Sequence, residues 1–463
     1  MSKFFYKYER LLTKILRYSK NLYLPPNNGK KINLQTNSWF NMNQTIYKNV
    51  PKYDTSMKKP SDDIIIKCEK IKIYPTIKQK DILISWMNCY IKMYNETISI
   101  FKRYRMRKKN LTRNCKKIRT YHMKYKKEKI IKNSQLLKYN SSTKVNSHVL
   151  DYAIKQACSN YKSCLTNLRR NNIKHFRLRY LKQTKRNKII IIEKAFVAKN
   201  INTFCSKIFT ENFKWDNDFK LKNIKKDFII HYDNLTGEFY LLNPVEDKTY
   251  KSNNKKNTIS LDPGIRKFMV GFTNNKTVEI CTNLKKRINK LFKKIDNVKN
   301  ENKSIKRKVE QHYYKKIKNT IYDMHWKVIK YLTDNYENIL IGNLSTKSII
   351  RNRPGNYLNK NTKRIASFMR LYVFKQRLQF KCLERKIGFK EIDEAYTSKT
   401  CSKCGYLNYN LGGNEIFKCK NCKYKIDRDI NGARNILINS MEIFDMMKAY
   451  KKILADHRKI MRG

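Results

Sequence analysis

The sequence predicts a mixed α/β layer fold spread over several domains, and three observations predict it. Residues 79–101 (QKDILISWMNCYIKMYNETISIF) repeat apolar side chains at three- and four-residue steps, the signature of an amphipathic helix. Short apolar runs bounded by Gly, Pro and Asn follow between about 180 and 250, and two of them flank Asn234-Leu235-Thr236-Gly237 as a hairpin. From Thr258 onward the order is strand, hairpin, helix, strand, helix, which is the pattern of an α/β layer with a mixed sheet.

Each element has its own warrant. A strand over Ile64 to Ile73 is cut off by Tyr74-Pro75, and the helix after it carries Ile82, Leu83, Trp86, Met87, Tyr90, Met93 and Tyr94 on one face, a stripe that reads as core packing. From Phe101 to Arg170 the chain stays compatible with helix. Strands are expected at HFRLRY (175–180), KIIIIEKAF (188–196) and on both sides of the hairpin, so that 180–250 forms a β-rich module. A polar linker, Lys251 to Asn257, leads into a strand that ends at Asp262-Pro263-Gly264, followed at once by FMVGFT. A charged helical stretch is expected over 284–334, a buried strand at Asn338 to Gly342 and a helix from Ser367 to Arg385. Residues 1–65 read as a loosely attached N-terminal extension.

The chain has 463 residues, with 104 Lys plus Arg against 36 Asp plus Glu, a net charge of +68. Self-repulsion on that scale points to a polyanionic partner bound through phosphates, although a lysine- and asparagine-rich composition also produces such an imbalance without any binding role. Disorder over most of the length is excluded, because 40% hydrophobic residues with 31 Tyr and 21 Phe supply a core. No apolar run approaches 18 residues, so a membrane span is not expected. No signal-peptide core is present at the start, and an intracellular protein of cytoplasm or nucleus is expected. The segment FKRYRMRKKN (101–110) interleaves rings with bases, which suits a phosphate-tracking surface. Arg103, Arg105, Arg107, Lys108 and Lys109 are its candidate phosphate contacts, the other reading being a solvated helix face.

Two sets of residues carry chemistry. Cys401-x-x-Cys404 and Cys419-x-x-Cys422, 14 residues apart, have the spacing that places four thiolates around one structural Zn²⁺ with no position left for water. The other eight cysteines are scattered and read as ordinary thiols. Asp262 ends a strand beside a glycine turn, and Asp427 and Asp429 lie where a turn runs into a helix. Carboxylates at element ends are candidate Mg²⁺ ligands, and two such ions about 4 Å apart can clamp a phosphodiester displacement. Taken singly, each Asp reads as a helix cap or salt-bridge partner before it reads as a ligand.

SLDPGIRKFMVGF (260–272), the helix Phe374-Lys-Gln-Arg377-Leu378 running to Gly388, YTSKTCSKCG (396–405) and CKNCKYKIDRDINGARNI (419–436) together resemble the carboxy-terminal half of the TnpB (OrfB) proteins of bacterial insertion sequences. KIYPTIKQK and YNETI resemble their start. The eukaryotic and giant-virus relatives called Fanzor proteins share the pattern, and the resemblance spans about 66–440. It implies an RNase H-like RuvC nuclease domain (256–463) interrupted by a zinc ribbon at about 397–425. Before it would come a nucleic-acid-binding lobe (66–255), a β-barrel wedge with a helical insertion over about 76–180.

By position Asp262 matches the first RuvC aspartate and Asp429 the last. Bacterial members end the buried strand with Glu, whereas here it reads Ile339-Leu-Ile-Gly342; the resemblance to Fanzor proteins then implies Glu394, with Glu337 a weaker substitute because it precedes the strand. The activity implied is an RNA-guided, Mg²⁺-dependent DNA endonuclease linked to transposition, with guide RNA and double-stranded DNA as partners and two Mg²⁺ ions at the centre. A zinc-stabilised nucleic-acid binder without catalysis and a strand-joining transposase are the alternatives.

Overall fold

The computed structural model describes residues 30–36, 40–46, 63–103, 117–122, 124, 145–182, 187–198, 200–216, 219–251, 257–273, 276–298, 302–344, 346, 350 and 358–440. The strands are β1 (Lys30–Thr36), β2 (Asn41–Ile46), β3 (Ile64–Tyr74), β4 (Lys188–Ile192), β5 (Lys214–Trp215), β6 (Phe228–Asp233), β7 (Glu238–Lys248), β8 (Thr258–Pro263), β9 (Met269–Phe272), β10 (Lys276–Ile280), β11 (Asn338–Gly342), β12 (Gly388–Ile392), β13 (Ile416–Lys418) and β14 (Lys425–Asp427). The helices are α1 (Ile77–Arg103), α2 (Ser147–Arg169), α3 (Leu284–Asp296), α4 (Lys303–Asn335), α5 (Lys360–Met369) and α6 (Leu371–Glu384), with α7 over 428–440. They fall into two units, Ile66–Asp247 and Met1–Ile65 with Lys248–Gly463. Among the described residues no helix is long and apolar enough to cross a membrane.

In the unit Ile66–Asp247, α1 starts with a reciprocal cap: Gln79 N donates to Thr76 Oγ1 at 3.3 Å and Thr76 N to Gln79 Oε1 at 3.0 Å. The apolar stripe anticipated from Ile82 to Tyr94 is buried throughout, and α2 packs on α1, with Tyr90 Oη donating to Gln156 Oε1 at 2.6 Å. The hairpin forms as expected, Asp233 pairing with Glu238 across the four-residue turn.

Two expectations fail in this unit. The wedge is not a closed barrel: among the described residues its sheet is open, in the order β4-β6-β7-β3-β5. The edge strand β5 is two residues long and pairs only with the end of β3, too short to reach β4 and close a ring. Residues 175–180 form no strand. The nearby backbone is satisfied by a side chain instead, since Asn95 of α1 accepts from Leu181 N at 2.8 Å and donates to Leu181 O at 2.9 Å.

The other unit is built on a seven-stranded sheet, β1-β2-β10-β9-β8-β11-β12. Pairing is antiparallel from β1 to β8 and parallel for β8–β11 and β11–β12. The segment expected as a loose extension thus puts two strands into the sheet, β2 lying along β10. Both faces are covered, and strand alternation sorts the side chains. Ile259, Leu261, Met269, Ile339 and Ile341 pack with α3 to α6, whereas Val270, Phe272 and Leu340 pack with Ala433, Ile436 and Leu437 of α7. Two covered faces explain why β9 and β11 are apolar without alternation. On the α7 side Ser260 Oγ donates to Ala433 O at 2.7 Å.

The helices differ from expectation at two breaks. The stretch over 284–334 is two helices, the second capped by Asn302, whose side chain accepts from Ser304 N. The helix expected from Ser367 to Arg385 is also two, parted at Arg370, which sits in the left-handed region at φ 51°. At that break the Met369 carbonyl accepts from His325 Nε2 at 3.0 Å, while His325 Nδ1 lies 3.1 Å from an Arg377 guanidinium nitrogen that can only donate. The imidazole is therefore neutral and carries its proton on Nε2.

Burial, seconded by Arg377 and Arg370, pulls the His325 pKa down to about 3, against the opposing effect of the Met369 bond. An unfolded histidine takes up its proton near pH ~6.5, so between there and about 3 the unfolded chain binds a proton that the folded one refuses. Stability should then fall by about 1.4 kcal/mol for each pH unit of acidification within that window. In urea unfolding, His325→Asn should flatten the decline between pH ~6.5 and ~4.5 by roughly 2–3 kcal/mol relative to wild type; parallel curves would refute the neutral imidazole.

Candidate functional site: a carboxylate centre beside a four-cysteine module

Register places the first acid. Leu261 of β8 stands opposite Ile341 of β11, and Gly342 stands opposite Ile392 of β12, so Asp262 and Gly342 lie at the same end of neighbouring parallel strands. Asp262 follows Ser260 onto the α7 face by strand alternation. The helix lies directly over the carboxylate: a Cβ on Gly432 would stand 2.4 Å from Asp262 Oδ2, so only glycine lets the two approach.

Glu394 comes from the loop after β12 and fills a space left on β11. A Cβ on Gly342 would stand 1.8 Å from Glu394 Oε1 and 2.5 Å from its carboxyl carbon. The glutamate carboxyl therefore occupies the position of a side chain at the end of β11, one strand spacing of about 4.8 Å from the strand of Asp262. Its backbone is fixed by Thr397, whose N and Oγ1 donate to Glu394 O at 3.1 and 2.9 Å. Among the described residues Oε1 is buried without a hydrogen-bond partner. Glu337, by contrast, precedes Asn338 at the opposite end of β11.

Asp427 and Asp429 take different parts. Asp427 caps α7, its Oδ1 accepting from Asp429 N at 2.9 Å and Ile430 N at 3.2 Å; its Oδ2 meets Lys267 Nζ at 2.9 Å. Asp429, in the first turn of α7, is favoured there by the helix dipole and pairs with Arg266 Nη2 at 2.8 Å, with Arg428 Nε 3.5 Å from its other oxygen.

The acids feel one another. Burial first, then Glu394 and Asp429, push the Asp262 carboxyl far above the usual carboxylate range, against the pull of Arg428. Burial lifts Glu394 to about 7, opposed by the Leu344 N–H and by Lys375. Acids raised in this way by burial and by one another are what a divalent cation would offset.

The four cysteines converge. Their Sγ atoms all lie within 4.8 Å of one another, with Cys401–Cys422 at 3.7 Å and Cys404–Cys419 at 3.5 Å. Among the described residues this is the one group of three or more metal-capable side chains packed that closely. The two knuckles are near copies. Cys401 N donates to Tyr406 O at 2.8 Å and Cys419 N to Tyr424 O at 2.9 Å, and the residue after each second cysteine is left-handed, Gly405 at φ 77° and Lys423 at φ 57°. Glycine takes that backbone freely; the lysine holds it at a cost of about 1–2 kcal/mol. A four-thiolate set of this size can hold one zinc ion.

The module grips the helix of the carboxylate centre. Asn431 Oδ1 accepts from Ser402 N at 3.0 Å, and Asn435 Nδ2 donates to Thr397 O and Thr400 O at 2.7 and 2.8 Å. Sequence reading misses Asn431, Asn435, Gly432 and Arg266. The asparagine pair was the available signal, two amides one helical turn apart just after the second knuckle.

Of the candidate phosphate contacts, Arg103 is exposed in the last turn of α1; Arg105, Arg107, Lys108 and Lys109 lie outside the described residues.

Comparison with known proteins matches residues 372–436 to the Cas12f1-like TNB domain family. A TnpB-like protein of Acanthamoeba polyphaga mimivirus is 34% identical over 393 residues, covering 81% of this chain and 73% of that one. The CRISPR-associated endodeoxyribonuclease Cas12f1 of Sulfoacidibacillus thermotolerans is 40% identical over 72 residues, 15% of this chain and 17% of that protein. A solved Cas12f1–sgRNA–target DNA complex aligns with a TM-score of 0.32 at 17% identity, over 80% of this chain and 98% of that one. An identity of one residue in three, sustained over four fifths of the chain, shows that it belongs to the TnpB-like protein family.

Proposed function

We propose that the protein is an RNA-guided DNA endonuclease of the RuvC type, with Asp262, Glu394 and Asp429 as ligands of two Mg²⁺ ions and Cys401, Cys404, Cys419 and Cys422 as ligands of one structural Zn²⁺. The observation that carries this reading is the placement of Glu394 in the space above Gly342. The glutamate that bacterial TnpB proteins carry on the strand is missing from β11, and a carboxyl from the loop after β12 stands in its place. The order of the sheet, antiparallel strands followed by two parallel ones, supports an RNase H-like domain. Kinship of residues 372–436 with the Cas12f1-like TNB domain family, and of a 72-residue stretch of the chain with a CRISPR-associated endodeoxyribonuclease, supports cleavage of DNA.

The donor set suits the ions. Hard carboxylate oxygens are what Mg²⁺ takes, and among the described residues Glu394 Oε1 has no other partner. Bound there, magnesium would supply an activated water and charge stabilisation for the leaving 3′ oxygen. The chain's own part is to present three carboxylates from a strand, a loop and a helix start, to fix α7 through Ser260, Asn431 and Asn435, and to hold the phosphate backbone through a surplus of lysine and arginine. Sequence choice would fall to guide pairing, with the protein reading backbone and a short flanking motif, by analogy with other RNA-guided effectors.

Protein purified with its co-purifying RNA, once that RNA is sequenced, should cut a matching duplex in Mg²⁺, and Asp262→Ala should reduce cutting to background. Joined rather than broken products would mark a transposase, and bound but intact duplex a non-catalytic binder. Gly342→Ala should lose cutting nearly as fully, because its Cβ evicts the Glu394 carboxyl, while unfolding shifts by only about 1–3 kcal/mol. The exchange Gly342→Glu with Glu394→Gly should restore part of the activity; no recovery, with the fold intact, would count against Glu394 as the stand-in ligand.

Metal analysis should find one zinc per chain, with Cys419→Ser losing most of it. Because the cysteine module anchors α7, that variant should also unfold earlier, and equal zinc content in both proteins would remove the ion from this site.

A further inference from the structure

Two basic residues stand side by side in the turn between β8 and β9, and their surroundings differ. Lys267 is 14% exposed and its ammonium is shared by Glu279 at 2.7 Å and Asp427 at 2.9 Å, a fixed structural bridge. Arg266 is 30% exposed and its fork is split: Nη2 reaches Asp429 Oδ2 at 2.8 Å and Nη1 reaches Glu415 Oε1 at 2.5 Å. Glu415, 69% exposed, immediately precedes β13 of the cysteine module. Its own backbone is held, since Glu415 O accepts from Arg428 N at 2.8 Å and Ile416 pairs with Asp427. Both oxygens of Asp429 thus face guanidinium groups, Arg266 closely and Arg428 at 3.5 Å.

We propose that Arg266 is the internal counter-ion of the carboxylate centre: it occupies Asp429 until a divalent cation arrives, then swings away on Glu415. The proposal rests on the reading of Asp429 as a metal ligand. An oxygen that accepts a guanidinium N–H at 2.8 Å cannot also bind an ion along the same direction, so the two compete for Oδ2. Competition is feasible because the pair is only partly buried, Arg266 30% and Asp429 19% exposed, so that water can take over the contacts the guanidinium gives up. Glu415 gives the displaced guanidinium somewhere to remain, so it is released from the ligand without leaving the rim of the centre. Arg266 is in this sense a positioning residue. It steadies a repelling set of acids before the ions bind and makes their binding conditional on its departure.

The test uses the full-length, zinc-loaded protein and counts free Mn²⁺ by electron paramagnetic resonance. Arg266→Gln should bind Mn²⁺ about three- to tenfold more tightly than wild type, and Arg266→Lys should fall between them. Asp262→Asn should abolish the same binding. Crystals soaked in Mn²⁺ should show Arg266 parted from Asp429 and still paired with Glu415. Equal affinities for wild type and Arg266→Gln, with Asp262→Asn still abolishing binding, overturn the counter-ion and leave the carboxylate centre standing. So does an ion-loaded structure in which Arg266 keeps its bond to Asp429. Mn²⁺ binding that ignores Asp262→Asn overturns both.

Discussion

Repulsion between carboxylates gathered at one end of a parallel strand pair is the constraint around which this part of the molecule is organised. Asp262 is roofed by α7, and burial first, then the like charges of Glu394 and Asp429, raise its pKa. Each neighbouring choice follows from tolerating that set. Glycine at 432 lets the helix approach, glycine at 342 admits a carboxyl from the loop after β12, and the dipole of α7 favours the acids at its start. Lys267, Arg266 and Arg428 set positive charge against Asp427 and Asp429. In a chain with nearly three bases to each acid, so many acids in one place is the exceptional feature.

Much of this was legible in the amino-acid order, where local periodicity or spacing alone determines structure. The apolar stripe of α1, the hairpin at Asn234 to Gly237 and the two Cys-x-x-Cys pairs need no distant partner to be recognised. What failed to show was decided at long range. Residues 175–180 alternate like a strand, yet the backbone just beyond them is taken up by an asparagine side chain 86 positions away. The helix break at Arg370 leaves no Gly or Pro to read, and it is held by a histidine from another helix. The closed barrel was an expectation carried by the family resemblance, and the two-residue length of β5 is not marked in a stretch whose rings, Phe209, Phe213 and Trp215, pack on one another. The proposed centre divides the same way: the aspartates could be picked out by position beside turns, whereas the lodging of Glu394 over Gly342 exists only once β11 and β12 lie side by side.

The cysteine module has a structural task as well as its metal-holding capacity. It begins three residues after Thr397–Ser398, directly downstream of Glu394, and ends by running through β14 into the helix that carries Asp429. The loop that carries Glu394 and the helix that carries Asp429 thus flank the same module. Under the proposed function, loss of the zinc would loosen two of the proposed magnesium ligands at once, although neither touches a cysteine.

Ser260 adds a limit on movement. Its hydroxyl bonds the Ala433 carbonyl, pinning the roof helix to the very strand that bears Asp262. With the packing of Val270, Phe272 and Leu340 on Ala433, Ile436 and Leu437, that tie holds roof and strand together. The side chains at the rim, Arg266 among them, are the parts left with room to turn.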